Sequence, residues 1–229
     1  MSLEITEQKK KKLAVILLSA GMDSAVCASV AAQDHALAFL HFQYGQKAAK
    51  KELECFYRLV DHFKPQKYLV VELSFFKIIG GSSLTSEEMK IPQPSNTQEI
   101  PSTYVPFRNG VFLSLAVAWA EVIGAEKIFI GVNEIDFSGY PDCRKEFIQA
   151  FNQAANLGTK PETKIMIETP LIHLSKKEIV ELGRKLNTPF HLTWSCYRET
   201  EKACGGCDSC QIRLKAFKEA GIEDPIEYA

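Results

Sequence analysis

Two groups of residues could carry chemistry, one near each end of the chain. Residues 19–24 read Ser-Ala-Gly-Met-Asp-Ser and follow a short apolar run, whereas four of the seven cysteines lie within residues 196–210. A tight polar turn between a strand and a helix leaves backbone N–H groups unpaired, and the helix dipole adds positive potential, so such a turn suits a phosphate. Four thiolates suit a metal ion. The sequence therefore predicts a phosphate-binding turn and a metal site.

The polar turn does not match two familiar nucleotide-binding patterns. It lacks both G-x-x-x-x-G-K-[ST] and G-x-G-x-x-G, and an ordinary strand–turn–helix corner remains the alternative. Ala20 stands where glycine would be the easier residue. A negative φ at Ala20 would cost little, because the binding N–H remains. A positive φ would introduce strain and weigh against phosphate binding.

The cysteines of the second group are Cys196, Cys204, Cys207 and Cys210. Two glycines between the second and third of them free the backbone to wrap around an ion. Four thiolates leave no open coordination position, so we expect a structural zinc ion. The C-x2-C-x2-C part is also typical of iron–sulfur clusters, which absorb visible light whereas zinc does not. In a reducing cytosol, such clustering favours a metal over disulfides.

The elements that must position these residues follow from the hydrophobic pattern. Strands are predicted over residues 13–19, 36–42, 67–73, 127–132 and 164–171. Helices are predicted over residues 23–33, 46–62, 107–124, 147–158 and 209–221. This alternation predicts an α/β fold, a doubly wound and mainly parallel sheet with right-handed crossovers. Ligands of such sheets bind beyond the strand C-termini, where the polar turn is expected to lie.

The pattern also suggests how the chain is divided. We expect a nucleotide-binding α/β domain over residues 1–187, with functional insertions at residues 74–106 and 133–163. Both insertions are longer than ordinary connections, and long irregular segments in compact domains usually serve function. Residues 188–229 are rich in Cys, Gly and aromatic residues before a final helix. They are expected to form a small zinc-bound segment packed on the same domain.

Composition excludes several classes of function. The net charge is −1, so no overall positive field recruits a nucleic acid. No apolar run is long enough to span a membrane, and no secretory h-region is present, so we expect a cytoplasmic protein without a membrane partner. The five histidines lack metal-ligand spacing. Small-molecule substrates are the remaining expectation.

The turn resembles the S-G-G-x-D-S loop of the ATP-pyrophosphatase (PP-loop) superfamily, with Ala20 in place of the first glycine. The resemblance implies a Rossmann-like fold of the adenine nucleotide alpha hydrolase type, with ATP as substrate and Mg²⁺ beside it. It also implies that an oxygen of the other substrate is adenylated while pyrophosphate leaves. The residues implied to bind the nucleotide are Leu18, Ser19, Ala20, Gly21, Met22, Asp23 and Ser24. Of these, Ser19, Asp23 and Ser24 are implied to be catalytic.

Three further blocks follow in order: PSTYVPFRNG at residues 101–110, GVNEIDFSGYPDCRKEF at 131–147 and WSCY…CGGCDSC at 194–210. Together with the turn they resemble the 7-cyano-7-deazaguanine synthase family of queuosine biosynthesis, from Leu13 to Ala220. The resemblance implies a ligase that forms carbon–nitrogen bonds. Such a ligase converts 7-carboxy-7-deazaguanine and ammonia to the nitrile through an adenylated carboxylate and an amide. A zinc ion on the four cysteines and a homodimer are implied as well.

The same blocks contain the candidate substrate-binding residues, which are Tyr104, Arg108, Asn133, Asp136, Tyr140 and Asp142. Arg108 could bind a carboxylate bidentately and is also a candidate catalytic residue, the alternative being a structural salt bridge. Asp136 or Asp142 could accept hydrogen bonds from the purine edge, or could simply shape a turn. Tyr140, Phe107 or Trp194 could stack on a base, although aromatic residues of α/β proteins more often belong to the core.

Three functions follow from these patterns. The first is the nitrile-forming ligase. The second is a PP-loop tRNA-thiolating enzyme, which needs a reactive cysteine pair or a cluster, and a basic RNA surface that the near-neutral charge does not supply. The third is a non-catalytic zinc-knuckle binding module in which Ala20 marks a degenerate phosphate turn. Consumption of ATP with 7-carboxy-7-deazaguanine and ammonia would separate the three.

Overall fold

The structure is a computed structural model that describes residues 11–92, 99–134, 140–198 and 200–229. Its centre is a sheet of five parallel strands in the order β3-β2-β1-β4-β5. The strands are β1 Leu13–Leu17, β2 Ala36–Gln43, β3 Lys67–Glu72, β4 Lys127–Phe129 and β5 Met166–Glu168. This order reverses direction between β1 and β4, which creates a crevice at the carboxyl ends of those two strands.

In the described ranges, seven α-helices cover the sheet or extend from its ends. They are α1 Met22–Asp34, α2 Ala49–Phe63, α3 Phe75–Ile79, α4 Arg108–Ile123, α5 Lys145–Gly158, α6 Lys176–Lys185 and α7 Asp208–Glu219. Two one-turn 3₁₀ helices lie at Pro141–Cys143 and Phe190–Leu192. Both faces of the sheet are covered, so the predicted parallel α/β fold is confirmed. None of the helices in the described ranges is long and apolar enough to cross a membrane.

Strand β1 shows why the sheet is buried on both sides. Its sequence is apolar throughout, as expected for a parallel strand between two helical layers. Alternate side chains point to opposite faces, so Ala14 and Ile16 join one core cluster whereas Val15 and Leu17 join the other. The first cluster includes residues of α1, α2, α6 and α7, and the second includes residues of α4 and α5.

The structure differs from the predicted elements in its last two strands and in two helices, α3 and α6, that the sequence pattern did not predict. Strands β4 and β5 have three residues each and are shorter than the strands predicted over residues 127–132 and 164–171. Helix α6 was not foreseen. Its local signal is a capping box, in which Ser175 accepts a hydrogen bond from the N–H of Glu178 while the Glu178 carboxylate accepts one from the N–H of Ser175.

The C-terminal segment lies against the same core as β1. Helix α7 packs on α6, and Phe217, Cys207 and Cys210 belong to the first core cluster. An isolated parallel bridge joins Ala203 to Tyr228 near the end of the chain. The segment therefore contributes to the packing of the sheet through one of its helical layers.

Candidate functional site

A cavity of about 470 Å³ lies in the crevice beyond β1 and β4. Several parts of the chain line it, and three of them matter first. They are the phosphate turn (residues 18–24), the start of α4, and the cysteine segment (residues 194–210). Ligands of open α/β sheets bind at this point, where the chain leaves β1 toward β2 on one side and leaves β4 toward β5 on the other. The phosphate turn and the chain neighbours of the cysteines therefore meet at one cavity, although the four cysteines themselves do not line it.

Within the phosphate turn, short side chains hold the backbone. The hydroxyl of Ser24 donates to the carbonyl oxygen of Gly21 at 3.0 Å, and the hydroxyl of Ser19 donates to Ser24 Oγ at 3.2 Å. The N–H of Gly21 points at Ser19 Oγ, 3.3 Å away. Helix α1 begins at Met22, directly after the turn. The turn therefore places two hydroxyl groups and a helix N-terminus at the cavity wall, as an anion site requires.

Ala20 adopts the left-handed conformation that sequence reasoning marked as unfavourable. Its φ is +67° and its side chain is fully buried. A left-handed alanine costs about 1–2 kcal/mol relative to the right-handed conformation. The backbone N–H of Trp194 donates to the carbonyl oxygen of Ala20 at 2.9 Å. The strained residue is thus held from the other side of the cavity by the cysteine segment.

Gly131, after β4, was not singled out from the sequence although it shapes the phosphate turn. A Cβ atom at this position would lie 3.1 Å from both the carbonyl carbon and the carbonyl oxygen of Asp23, and 3.2 Å from the nitrogen of Ser24. These are backbone atoms of the first turn of α1, so they cannot easily move away. A glycine at the end of β4 therefore lets α1 begin close to the sheet. A glycine inside the strand predicted over residues 127–132 was the available signal.

Asp23 faces a cation from another part of the chain. Its carboxylate oxygen Oδ2 forms an ion pair with the ammonium of Lys176, the first residue of α6. The other oxygen, Oδ1, is buried without a hydrogen-bond partner among the described residues. Lys176 also lines the cavity. It was missed from the sequence because no helix was predicted there.

Arg108 begins α4 and lies against aromatic rings. Its Nη1 donates to the hydroxyl of Tyr44 at 2.9 Å, and the guanidinium carbon is 5.3 Å from the centre of the Tyr44 ring and 5.8 Å from that of Phe112. Arg108 forms no ion pair with the residues that the structure describes. Within the described residues, Arg108 therefore does not form the structural salt bridge that was the alternative to an anion site. Its guanidinium lies at the cavity wall.

Asp142 has a structural partner at the start of α4. Its Oδ2 accepts a hydrogen bond from the backbone N–H of Asn109 at 2.8 Å, which satisfies one unpaired group of the helix N-terminus. The Asn109 side chain donates to Cys143 Sγ at 3.2 Å. Burial raises the pKa of Asp142. The carboxylate therefore holds α4, and with it Arg108, in position.

Two of the other predicted substrate residues lie at the cavity wall. Tyr140 and Asn133 line the cavity; the Tyr140 hydroxyl lies 2.8 Å from Thr103 Oγ1, and Asn133 Nδ2 donates to the carbonyl oxygen of Leu171 at 3.3 Å. Tyr104 packs against Tyr140 with ring centres 5.4 Å apart. Asp136 lies outside the described residues.

A polar cluster after β2 was also missed. Gln46 and Glu52 line the cavity, and Gln46 Nε2 donates to Glu52 Oε2 at 2.8 Å. Burial raises the pKa of Glu52 to about 7, although hydrogen bonding by Gln46 and the charge of Arg108 act in the opposite direction. Strands β1 and β2 are neighbours, so this cluster lies beside the phosphate turn. The sequence offered no pattern that would separate Glu52 from other helical glutamates.

The four cysteines converge as a metal site requires. Their sulfur atoms all lie within 4.8 Å of one another, and those of Cys204 and Cys210 are 4.0 Å apart. A tetrahedron with metal–sulfur bonds of about 2.3 Å has sulfur atoms about 3.8 Å apart. Backbone N–H groups point at two of the sulfurs, from Arg198 and from Cys207. The residues present therefore fit a metal ion bound by four thiolates, with N–H groups to offset its negative charge.

A buried ion pair fixes the helix that follows the cysteines. Arg213 in α7 donates through Nε and Nη2 to the carboxylate of Asp224 at 2.7 and 2.9 Å. Its Nη1 donates to the hydroxyls of Thr193 and Ser195, which flank Trp194. The pair thus connects α7 to the part of the cysteine segment that contacts the phosphate turn.

These groups can act together on anions. The phosphate turn suits a polyphosphate, Lys176 and Arg108 supply positive charge at the wall, and the buried carboxylates supply acceptors. Such an arrangement suits transfer of a nucleotidyl group to a carboxylate.

Comparisons with known proteins agree with this chemistry. A family model described as "Queuosine biosynthesis protein QueC" matches residues 13–221. A protein from Chlorobaculum parvum named 7-cyano-7-deazaguanine synthase is 54% identical over 218 residues, covering 94% of this chain and 96% of the relative. A protein of the same name from Chlorobium phaeobacteroides is 55% identical, covering 94% of this chain and 96% of the relative. Another, from Nautilia profundicola, is 50% identical, covering 95% of this chain and 98% of the relative.

Among solved structures, an NMN synthetase from Francisella tularensis aligns with a TM-score of 0.50 at 15% identity. The alignment covers 93% of this chain and 79% of that chain. At this identity the likeness shows a shared fold.

Proposed function

This chain belongs to the QueC family of queuosine biosynthesis proteins, and from that premise we propose that it converts 7-carboxy-7-deazaguanine, ATP and ammonia into 7-cyano-7-deazaguanine. The observation that carries this function is the identity of 50–55% with proteins named 7-cyano-7-deazaguanine synthase, over nearly the whole of both chains. The phosphate turn and the cationic groups at a single cavity supply the chemistry that the reaction needs.

The reaction has two difficult steps that one site can serve. A carboxylate does not react with ammonia, because oxide is a poor leaving group, so adenylation first replaces it with AMP. Ammonia then forms an amide, and a second adenylation of the amide oxygen allows its loss to give the nitrile. Both adenylations build negative charge at phosphorus, which cations and oriented N–H groups stabilise. One nucleotide site beside one carboxylate site is sufficient.

In this proposal the phosphate turn binds ATP. Ser19 and Ser24 place hydroxyl groups at the phosphates, and Gly21 allows close approach of the backbone. The buried, unpartnered Oδ1 of Asp23 is a hard oxygen ligand that suits Mg²⁺. Arg108 binds the substrate carboxylate or the phosphates, since its guanidinium lies at the cavity wall without an ion-pair partner in the described ranges.

Residues around the cavity entrance would hold the deazaguanine. We assign Tyr104 and Tyr140 to one wall of that subsite, with Asn133 beside the phosphate turn. Asp142 is assigned to the support of Arg108 through α4, in addition to its predicted role at the purine edge. Asp136 remains a prediction for the purine edge.

The metal is proposed to be a structural zinc ion. The four cysteine sulfurs close a tetrahedron with no position left for a substrate, which supports a structural role over a catalytic one. The bound ion would fasten the cysteine segment, and therefore Trp194 and Ser195, against the cavity.

The proposal also covers the cellular compartment, the partners and the oligomeric state of the enzyme. Four free thiolates at one site favour the reducing cytoplasm. The net charge of −1 supports small molecules over nucleic acid as partners. A homodimer is proposed from the family resemblance.

The products of ATP test the mechanism. We expect labelled ATP, with the purine carboxylate and ammonia, to yield AMP, pyrophosphate and the nitrile, whereas ADP as main product would contradict adenylation. Ser24→Ala and Asp23→Asn should reduce turnover and leave the fold intact. Ser114→Ala, a hydroxyl deletion in α4 that donates only to its own helix backbone, is the matched control. A tRNA-thiolating enzyme or a binding module would form no nitrile.

Substitution of Arg108 tests the anion site. Removing one partner of a buried charge pair costs about 3–5 kcal/mol, so Arg108→Ala should lower kcat/KM by roughly two to three orders of magnitude. Arg108→Lys should recover little, because an ammonium cannot copy the planar fork. Arg184→Ala at the exposed end of α6 is the control. Parental kcat/KM in Arg108→Ala would remove the residue from the site.

Metal content tests the closed zinc site. Elemental analysis should find one zinc per chain in the parent and in Cys55→Ser, a buried thiol outside the cluster, but less in Cys207→Ser. Visible absorbance that bleaches on reduction would instead indicate an iron–sulfur cluster.

A further inference from the structure

Glu52 is a carboxyl group of the cavity for which the steps above have no use. It lies in the first turn of α2 and lines the cavity together with the phosphate turn and Arg108. No lysine or arginine of the described ranges forms an ion pair with Glu52. A half-buried carboxyl group in a reaction cavity, without a direct counter-ion, needs a chemical explanation.

A fixed amide holds one oxygen of Glu52. Gln46 Oε1 accepts a hydrogen bond from the backbone N–H of Tyr44 at 2.8 Å, which sets the orientation of the amide. Gln46 Nε2 then donates to the carbonyl oxygen of Phe42 at 3.3 Å and to Glu52 Oε2 at 2.8 Å. The carboxyl group is therefore oriented by its neighbour and engaged at Oε2, so that Oε1 is the oxygen available to a ligand in the cavity.

The surroundings of Glu52 balance its two protonation states. Burial raises its pKa to about 7, while Gln46 and the positive charge of Arg108 lower it. Burial raises the pKa of Tyr44, directly after β2, and of Cys55, on the same helix, and the charge of Glu52 raises both further. At neutral pH the carboxyl group can both accept and release a proton.

The proposed reaction needs such a group. Ammonia is present at neutral pH mainly as ammonium, which, like the ammonium of lysine with a pKa of about 10.4, has no lone pair until it loses a proton. The nucleophile must therefore be deprotonated beside the activated substrate. Lys176 and Arg108 are cations and cannot serve as the base.

We propose that Glu52 receives ammonium in the cavity and takes its proton, delivering neutral ammonia to the adenylated carboxylate. In this step an N–H bond of ammonium breaks, its electron pair remains on nitrogen, and the proton passes to Oε1 of Glu52. The nitrogen lone pair then forms the C–N bond, and the C–O bond to AMP breaks with its electrons on AMP. The amide nitrogen releases its extra proton to solvent. This assignment rests on the proposed function.

Two features favour ammonium over the purine edge as the ligand of Glu52. The N1–H and 2-amino groups of a deazaguanine are recognised bidentately, by both oxygens of a carboxylate. Oε2 of Glu52 is already engaged by Gln46, which suits a single donor. In addition, the nearby charge of Arg108 disfavours a lasting second cation, so it assists loss of the ammonium proton.

The test separates the first half-reaction from the second. In the parent enzyme without ammonia, the purine carboxylate should drive exchange of labelled pyrophosphate into ATP. If it does not, the proposed function itself fails. In Glu52→Gln this exchange should continue at the parental rate, because adenylation precedes the use of ammonia. Loss of exchange in Glu52→Gln would overturn the proposal and indicate that Glu52 binds the purine carboxylate or ATP.

The second half-reaction measures the base directly. With ammonium chloride at pH 7, Glu52→Gln should lower kcat/KM for ammonia by about 10²-fold or more, whereas turnover with hydroxylamine, which is neutral at that pH, should stay within a few-fold of the parent. The parental kcat/KM for total ammonia should level off above about pH 7, but that of Glu52→Gln should keep rising with free ammonia. Glu54→Gln, a partly exposed glutamate of the same helix, is the matched control. Parental use of ammonia by Glu52→Gln would overturn the proposal.

Discussion

The phosphate turn after β1 and the cysteine segment before α7 line the same cavity, but different kinds of interaction hold them in place. The phosphate turn continues a fully buried apolar strand, and Gly131 lets α1 pack directly against the end of the sheet. The cysteine segment depends on a convergence of sulfur ligands and on the buried pair of Arg213 with Asp224. One is held mainly by apolar packing, and the other by polar and metal-ligating groups.

This difference has a consequence for how each region responds to stress. Apolar packing does not itself depend on metal concentration, so a chelator should act on the phosphate turn only through the cysteine segment. Thiolate ligands and buried ion pairs lose their stabilising effect as soon as one partner is removed. The hydrogen bond from Trp194 to Ala20 connects the two regions, so loss of the cysteine segment should also disturb the turn.

The largest expected effect comes from the cysteine segment. Cys207→Ser opens the tetrahedron, and structural zinc contributes about 10–16 kcal/mol of binding free energy in isolated zinc-finger peptides. We expect the free energy of unfolding to fall by more than about 5 kcal/mol, measured by urea denaturation in zinc-containing buffer. Cys27→Ser, a buried thiol of α1, should show no zinc-dependent loss. Equal stability of the parent with and without zinc, or of the parent and Cys207→Ser in zinc-containing buffer, would contradict a metal-held segment.

The ion pair of α7 should rank next. Arg213→Met leaves the Asp224 carboxylate buried with the hydroxyl of Tyr228 as its remaining side-chain partner, and breaking a buried pair on one side costs about 3–5 kcal/mol. The double variant Arg213→Met with Asp224→Leu should recover much of that loss, because no buried charge remains unpaired. Urea denaturation of the parent, both single variants and the double variant measures this coupling. A double variant no more stable than Arg213→Met would show that the charges do not act as a pair.

His41 should make the protein less stable at acidic pH, next to the phosphate turn. This ring is buried, its Nδ1 donates to the carbonyl oxygen of Leu18 at 2.9 Å, and its Nε2 has no partner in the described residues. Burial lowers the pKa of His41 to about 4. Below the unfolded pKa of about 6.5 the unfolded chain binds a proton that the folded chain does not, so the free energy of unfolding falls by about 2 kcal/mol from pH 7 to pH 5.

Substitution tests this origin of the acid sensitivity. His41→Asn keeps a donor for Leu18 and removes the titration, so it should lose about 2 kcal/mol less than the parent between pH 7 and pH 5. His191→Asn, at an exposed ring, is the control. The same pH dependence in the parent and His41→Asn would assign the acid sensitivity elsewhere.

The smallest effect should come from the strained alanine of the phosphate turn. Ala20→Gly relieves a left-handed residue, and the greater flexibility of glycine in the unfolded chain offsets part of that gain, so a net stabilisation of about 0.5–1 kcal/mol is expected. Ala118→Gly, at an exposed position inside α4, should instead destabilise by about 1 kcal/mol. Thermal unfolding of both variants measures the contrast. Destabilisation by Ala20→Gly would mean that the Ala20 methyl group contributes more by packing than its conformation costs.

Much of the architecture follows from local pattern. Continuous apolar runs predicted the strands, and helical spacing predicted α1, α2, α4, α5 and α7 within a few residues of their observed ends. Helix α6 escaped because its ten residues are mostly charged and its apolar face is narrow. Its capping box was the one local signal of its start.

The chemistry of the two main groups of residues was equally local. Four cysteines within residues 196–210 must lie close together in any fold, so a metal site could be predicted before the structure was known. The phosphate turn could be predicted because its residues are contiguous and the helix that it precedes begins at once. Each of the two patterns consists of residues that lie close together in the sequence.

The remaining features needed the tertiary structure, because their partners are far apart in sequence. Lys176 reaches Asp23 only because α6 packs beside α1, and Asp142 contacts Asn109 only because the segment before α5 crosses the start of α4. The left-handed φ of Ala20 and the raised pKa of Glu52 depend on what surrounds these residues. The sequence alone determined which elements and ligand sets form. Packing decided which charges face each other, since burial and distance, not residue type, set their energies.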